Sequence, residues 1–160
     1  MKVSQDGVVG RTVVKMAQSP AFAKVAPAIV PRLDRFVHKV TGGRTTMSAG
    51  MVPTVLLTTT GSVSGRPRTV PLACVPEGDA LYVVGSNYGR ERHPAWSTNL
   101  IATPRARASI DGRDYPVDAH LLTAAEKHET WPRLVHAWPA YDTYVERSGR
   151  DLRVFRLSPV

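Results

Sequence analysis

Cysteine is almost absent from this chain of 160 residues: Cys74 stands alone, so no disulfide can close within it. That fits a reducing compartment. No uninterrupted apolar run approaches the length of a membrane span, and the N-terminus carries no secretory apolar segment. The expected location is the cytoplasm, either free or peripheral on the inner face of the cell membrane. The five histidines (His38, His93, His120, His128 and His136) lack metal-ligand spacing. His128 and His136 share a helical face two turns apart without an accompanying acid, so no metal site is expected. Internal repeats and low-complexity stretches are missing too. Acids are in short supply: 13 Asp and Glu face 21 Lys and Arg, a net charge of +8. Such a surplus implies an anionic partner, whether nucleic acid, lipid headgroups or a phosphorylated, carboxylated small molecule.

What is present suits one well-buried domain, since hydrophobic residues make up 42% of the chain and charged ones 21%. The basic surplus is concentrated near the start. Between Met1 and Arg44 stand Lys2, Arg11, Lys15, Lys24, Arg32, Arg35, Lys39 and Arg44 against Asp6 and Asp34. No nucleic-acid reader motif accompanies them, which ranks nucleic acid low among the partners. An amphipathic basic helix of this kind suits an anionic membrane surface, and equally a helix packed on the domain with a solvated basic face. Residues 1–45 therefore read as a basic helical segment and 46–160 as the main domain. Val30, Leu33, Phe36, Val37 and Val40 predict a helix over 31–40, ended by Gly42-Gly43. Pro20, Pro27 and Pro31 predict a less ordered beginning.

From Val52 the texture is that of strands. "VPTVLLTTTG", "RTVPLACV" and "ALYVVGS" are rich in β-branched residues, the last two separated by the turn Pro76-Glu77-Gly78-Asp79. "PAWSTNLIA" begins with Pro94 at a favoured first-turn position and predicts a short helix. "ARASI" and "DYPVDAHLL" flank Asp111-Gly112, a second hairpin signal. Thr123 and Glu126 form a capping box ahead of a helix with Trp131, Leu134, Val135 and Trp138 on one face. "DLRVFRL" closes the chain as a strand. The order is helix, three strands, helix, two strands, helix, strand. It predicts an α+β, mainly β fold: a small barrel of about six antiparallel strands with flanking helices.

Two stretches carry candidate chemistry. "GSVSGRPR", residues 61–68, has Val63 where a nucleophile elbow needs serine, and lacks the Lys-Ser/Thr ending of a phosphate-binding Walker loop. It reads either as a solvated turn or as an anion nest, with backbone N–H groups, Ser62, Ser64 and a bidentate Arg68 around a phosphate. Spacing alone leaves both open. In "WPAYDTYVER", Tyr141 and Tyr144 are three apart and on a helix share a side with Trp138. They are either an aromatic seal or a wall over a flat ring, with hydroxyls able to donate a hydrogen bond or a proton. Cys74, in an apolar strand, reads as a buried small hydrophobe.

The segments "LLTTTGSVSGRPRTVPL", "YVVGSNYGRERHPAWSTNL" and "VFRLSPV" resemble, in order from about Val55 to Val160, the deazaflavin-dependent nitroreductase family of actinobacteria. The resemblance implies a split β-barrel of the flavin-reductase/pyridoxamine-oxidase kind. It also implies hydride transfer from reduced coenzyme F-420, whose side chain carries a phosphate and a glutamate tail, to a small, hydrophobic, electron-poor quinone, activated alkene or nitroaromatic. Flavin mononucleotide ranks behind the deazaflavin, and a carrier without turnover behind an enzyme. By the same resemblance Ser62, Val63, Ser64 and Arg68 would hold the phosphate, and Thr69, Val70, Pro71, Leu72 and Ala73 would run beside the ring. Val84, Gly85, Ser86 and Asn87 would add contacts, as would Ala95, Trp96, Ser97, Thr98 and Asn99 at the helix start. Tyr141 and Tyr144 match tyrosines of the substrate side. They, with Ser86, are the candidates to hydrogen-bond or protonate the acceptor. Three positions depart from the pattern. Val63 replaces a usual basic residue, and Ala73 and Trp138 stand where some members carry tyrosine, so substrate preference is expected to differ.

Overall fold

The computed structural model describes residues 8–26, 28, 29, 32 and 52–160. Six strands make the body of the fold: β1 (Thr54–Thr60), β2 (Pro67–Glu77), β3 (Ala80–Val84), β4 (Arg105–Ile110), β5 (Arg113–Leu121) and β6 (Val154–Pro159). All neighbours are antiparallel, and the order β1-β2-β3-β6-β5-β4 closes on itself because β4 also pairs with β1. The expected six-stranded antiparallel barrel is what forms.

Strand patterning sets the two sides of the wall. In β1 alternate residues are buried, so Val55, Leu57 and Thr59 face inward. Every residue of β3 is buried. Leu81 and Val83 join Val55, Leu57, Phe155 and Leu157 inside the barrel, whereas Tyr82 and Val84 pack outward under helices. Asp111 and Gly112 both take positive φ (50° and 76°), the requirement of a tight β4–β5 hairpin turn.

Helices α1 (Val8–Ala17), α2 (Ala95–Ala102), α3 (Ala124–Ala137) and α4 (Ala140–Ser148) surround the barrel. The capping box opens α3 as the sequence reads: the Thr123 hydroxyl accepts from the Glu126 N–H while the Glu126 carboxylate accepts from the Thr123 N–H. The single helix expected after Thr123 is two, broken at Trp138-Pro139. Pro139 offers no N–H to continue the ladder, and Trp138 is extended as the residue before a proline tends to be.

A second correction concerns the beginning of the chain. Residues 8–17 are helical rather than less ordered, and residues 20–26 are helical as well. Pro20 begins the second stretch instead of breaking it, because proline is tolerated where an N–H would have no partner. Ser19 caps that start, its Oγ accepting from the Phe22 N–H at 3.1 Å. The helix expected over 31–40 lies outside the described residues, apart from Arg32.

Candidate active site

β2 is longer than either neighbour requires. Residues 67–73 pair with β1, and only residues 74–77 pair with β3. Between Pro67 and Ala73 one strand edge is therefore open, with backbone N–H and C=O groups directed away from β1. A cavity of about 1580 Å³ opens along that edge. Its other walls are the segment from Ser86 to Ala95, the Trp138–Tyr144 region and α1 with the helical stretch that follows it.

Gly61–Gly65 forms one end of the cavity. The Gly61 N–H donates to the Arg66 carbonyl and the Gly65 N–H to the Gly61 carbonyl, both at 2.8 Å. A Cβ on Gly61 would lie 2.6 Å from the Ser64 hydroxyl oxygen and 3.2 Å from the Arg66 carbonyl oxygen, so a side chain there would turn the hydroxyl aside and press on the loop backbone. Asn99 then fixes the loop to α2. Its Oδ1 accepts from the Ser62 N–H at 2.9 Å, and its Nδ2 donates to the buried Thr59 hydroxyl at 3.0 Å. Among the described residues, the N–H groups of Val63 and Ser64, the Ser62 hydroxyl and the Arg68 guanidinium have no partner, and all four residues line the cavity. Such a set suits an anion: unspent backbone donors, a hydroxyl and a fork of guanidinium donors. Val63 itself is fully exposed (101%), so its side chain adds exposed apolar surface at the mouth and no charge.

The two tyrosine hydroxyls of the cavity divide their tasks. Tyr144 donates to the Ala17 carbonyl at 3.2 Å, and the Trp138 indole hydrogen-bonds its oxygen. Tyr144 thereby secures the C-terminal end of α1, whose last carbonyls lack helical partners. Arg147 adds a hydrogen bond to the Gln18 carbonyl and one to the Tyr88 carbonyl at 3.3 Å. Tyr141 is only 4% exposed and lines the cavity, yet its hydroxyl has no hydrogen-bond partner among the described residues. Burial, then Tyr144 and Cys74, push its phenol well above the ordinary range, so it remains a neutral donor.

The segment Ser86–Pro94 forms a further wall. Asn87 and Tyr88 both have left-handed φ (46° and 56°), a conformation that non-glycine residues adopt at a cost. The Asn87 amide donates to the Arg92 carbonyl at 2.9 Å. Gly89 packs directly under α4: a Cβ there would lie 3.2 Å from the Tyr144 Cα.

Most residues singled out from the sequence meet in this one space. Ser62, Val63, Ser64, Arg68, Val70, Pro71, Leu72, Ala73, Val84, Ser86, Asn87, Ala95, Trp96, Asn99, Tyr141 and Tyr144 all line it. Four do not. The Thr69 hydroxyl pairs with Thr58 at 2.8 Å. The Gly85 N–H donates to the Arg153 carbonyl. The Ser97 hydroxyl donates to the Pro94 carbonyl, and it and the Thr98 hydroxyl both accept from Arg153. Sequence reasoning missed Val13, Met16, Ala17 and Phe22, which cover the cavity from α1 and the helical stretch after it, and Tyr88 and Arg90 to Pro94 in the wall. The Ser19-Pro20 start signal was the available clue for the first group. Cys74 is buried, and burial together with the Asp111 charge pushes its thiol up to about 12, leaving it unreactive. Among the described residues no cluster of His, Cys, Asp or Glu is placed to hold a metal.

Residues 31–159 match the family described as F420H(2)-dependent quinone reductase. The chain belongs to this family. Membership makes it a reductase that draws on coenzyme F-420, in keeping with the deazaflavin-dependent family that the sequence resembles. An F420H(2)-dependent quinone reductase of Mycobacterium tuberculosis is 29% identical over 136 residues, spanning 79% of this chain and 88% of that protein. Among solved structures, an F420-H2 dependent reductase (FDR-A) aligns with a TM-score of 0.61 and 34% identity, over 66% of this chain and 94% of its own. A second structure, described as a domain-swapped dimer, aligns with a TM-score of 0.63 and 30% identity over 78% of this chain.

Proposed function

We propose that the cavity holds coenzyme F-420 with its phosphate at the Gly61–Gly65 loop and Arg68, and that a quinone is reduced on the Tyr141 side. One observation carries the reading: unspent anion donors and an unpartnered, buried tyrosine hydroxyl line one and the same cavity. When bound in reduced form the coenzyme supplies a hydride. Reduction of a quinone takes that hydride and a proton. The Tyr141 hydroxyl is the group of this chain set to donate a hydrogen bond to the acceptor oxygen on which charge builds. Its raised pKa favours donation over ionisation. The open edge of β2 offers backbone groups to the polar atoms of a flat ring, and Trp138 and Tyr141 supply flat apolar surface. Ser86 lines the wall beside them. Activated alkenes and nitroaromatics share the electron-poor character of quinones and fall within the same acceptor class.

The test is a fluorescence titration with coenzyme F-420, run beside flavin mononucleotide and repeated with Arg68→Ala. Saturable binding of the deazaflavin is expected. Loss of one charge-assisted contact, worth about 1.5–3 kcal/mol, should weaken it roughly tenfold to a hundredfold. Preference for the flavin, or an unchanged affinity in the variant, would overturn the phosphate assignment. Tight binding without turnover of any quinone would make the protein a carrier.

A membrane-surface setting is favoured by a separate observation. Met16, Val25 and Ile29 are exposed on the N-terminal helical residues, which also carry Arg11, Lys15, Lys24 and Arg32. Exposed apolar side chains among cations suit an anionic lipid surface, where a lipid quinone resides. Among the described residues no helix is long and apolar enough to cross a membrane.

A further inference from the structure

The segment from Gly85 to His93, which carries the cavity wall between Ser86 and His93, is held by a residue outside the cavity. Arg150, just after the αL turn that ends α4, spends its guanidinium on that wall. Its Nε donates to the Arg90 carbonyl at 2.8 Å, its Nη2 to the Ser86 carbonyl at 2.8 Å, and its Nη1 to the Gly85 carbonyl at 3.4 Å. The same Nη1 lies 2.8 Å from Nδ1 of His93. Four acceptors spread along nine residues of chain thus converge on one planar cation. The two left-handed residues, Asn87 and Tyr88, lie between the anchored carbonyls. A strained conformation persists only where its surroundings over-determine it, and this fork supplies most of the side-chain hydrogen bonds to the segment from outside, beside the single Arg147 contact to the Tyr88 carbonyl.

We infer that Arg150 is a positioning residue: it fixes the Gly85–His93 wall in the shape that the ligand meets, without touching the ligand itself. The choice of ligand rests on the function proposed above, whereas the fixing of the wall does not. Arginine is required by geometry. A lysine ammonium is a point donor and cannot span Arg90, Ser86, Gly85 and His93 together. The arrangement also fixes the state of His93. Nδ1 accepts from Arg150, so the ring is neutral, and a protonated ring would set two donors and two cations face to face. Burial, Arg153 and Arg150 lower its pKa, opposed only by Asp151. Asp151 in turn pairs with Lys127. The neutral ring is therefore the form that the fold favours above the ordinary histidine pKa. The tie weakens as pH falls from there through the lowered value.

Hydrogen–deuterium exchange of the ligand-free protein reads the wall directly. The Gly89 and Arg90 amides donate to the Ser86 and Asn87 carbonyls, so exchange there reports the local opening. Arg150→Met and Arg150→Lys are both expected to raise exchange across residues 87–93 by roughly tenfold or more, with β1 and β4 unchanged. Both variants should weaken coenzyme F-420 binding by a similar factor. Wild-type exchange in Arg150→Lys would show that charge alone suffices and overturn the inference. So would faster exchange throughout the barrel, which would mark a general structural role. If the Arg150 variants do not fold, the wild type still decides. After correction for intrinsic rates, exchange at 87–93 should rise as pH falls below the ordinary histidine range. The rise should vanish in His93→Asn, whose amide oxygen accepts but does not titrate. A pH-independent wall would overturn the inference. Failure of the wild type to bind the coenzyme would sink the proposed ligand and leave the exchange result to judge Arg150.

Discussion

Asn99 and Tyr141 show how differently two cavity residues can serve the site. Asn99 has both ends of its amide committed, to the Ser62 N–H and the Thr59 hydroxyl, so its work is to set the loop that offers donors to an anion. Asn99→Leu would leave the Ser62 N–H unpaired and the buried Thr59 hydroxyl with only its 3.5 Å contact to the Arg68 carbonyl, at about 1–3 kcal/mol in a urea unfolding curve. A fall in F-420 affinity should accompany it. Unchanged stability and affinity in Asn99→Leu would mean that the amide is not what orders the loop. Tyr141 makes the opposite case. Its hydroxyl is buried without a partner among the described residues, so Tyr141→Phe forfeits no protein hydrogen bond. Stability should be unchanged or up to about 1 kcal/mol higher, while quinone turnover falls and cofactor affinity holds. Full turnover in Tyr141→Phe would remove it from the reaction. Because burial raises its pKa, the folded state favours the neutral phenol. That contribution is present below the ordinary tyrosine pKa and is lost only as pH rises through the elevated value.

At the scale of elements, the legible features were those with local signatures. The alternation in β1, the Asp111-Gly112 turn and the Thr123/Glu126 box each follow from a few adjacent residues, and each forms where the sequence places it. The break at Pro139 was equally local, but the continuous aromatic spacing of Trp138, Tyr141 and Tyr144 masked it. The cover of the cavity was not legible. Nothing near Ala17 in sequence signals that its carbonyl meets Tyr144, 127 residues away. The ties of Arg150 and Asn99 are likewise long-range, and no spacing rule encodes them. The capping box gives this scale its test. Its N–H and hydroxyl contacts with Thr123, together with His120, hold the Glu126 carboxyl at about 2. The depressed value means that the charged cap is intact above the ordinary carboxylate pKa and is lost as pH falls from there toward about 2. Glu126→Ala, which removes the titrating half of the box, should lower Tm by roughly 2–4 °C at neutral pH, and the deficit should shrink in strong acid as the wild-type carboxylate is protonated. A deficit that stays constant down to that range would rule out the reciprocal cap as its source.

Across the whole molecule the charge is uneven. Eight basic residues against two acids lie before residue 45, and the rest of the chain is nearly balanced. The helical part of that segment covers the cavity with Val13, Ala17 and Phe22 while Arg11, Lys15 and Lys24 face solvent beside Met16 and Val25. Placed on an anionic surface, the same helices would bring the cavity mouth close to the lipid, so a quinone would have a short path from bilayer to site. Sedimentation with phosphatidylglycerol vesicles is therefore expected at about 0.05 M salt, with loss by about 0.5 M as the charges are screened. Neutral phosphatidylcholine vesicles should not carry the protein down. Each cation near the surface contributes about 1 kcal/mol, so Lys15→Gln with Lys24→Gln should weaken vesicle binding roughly thirtyfold. Turnover of a water-soluble short-chain quinone should be unaffected by that pair. Equal sedimentation with both lipids, or binding indifferent to salt, would assign the basic face to solvent and leave the quinone to arrive by another route.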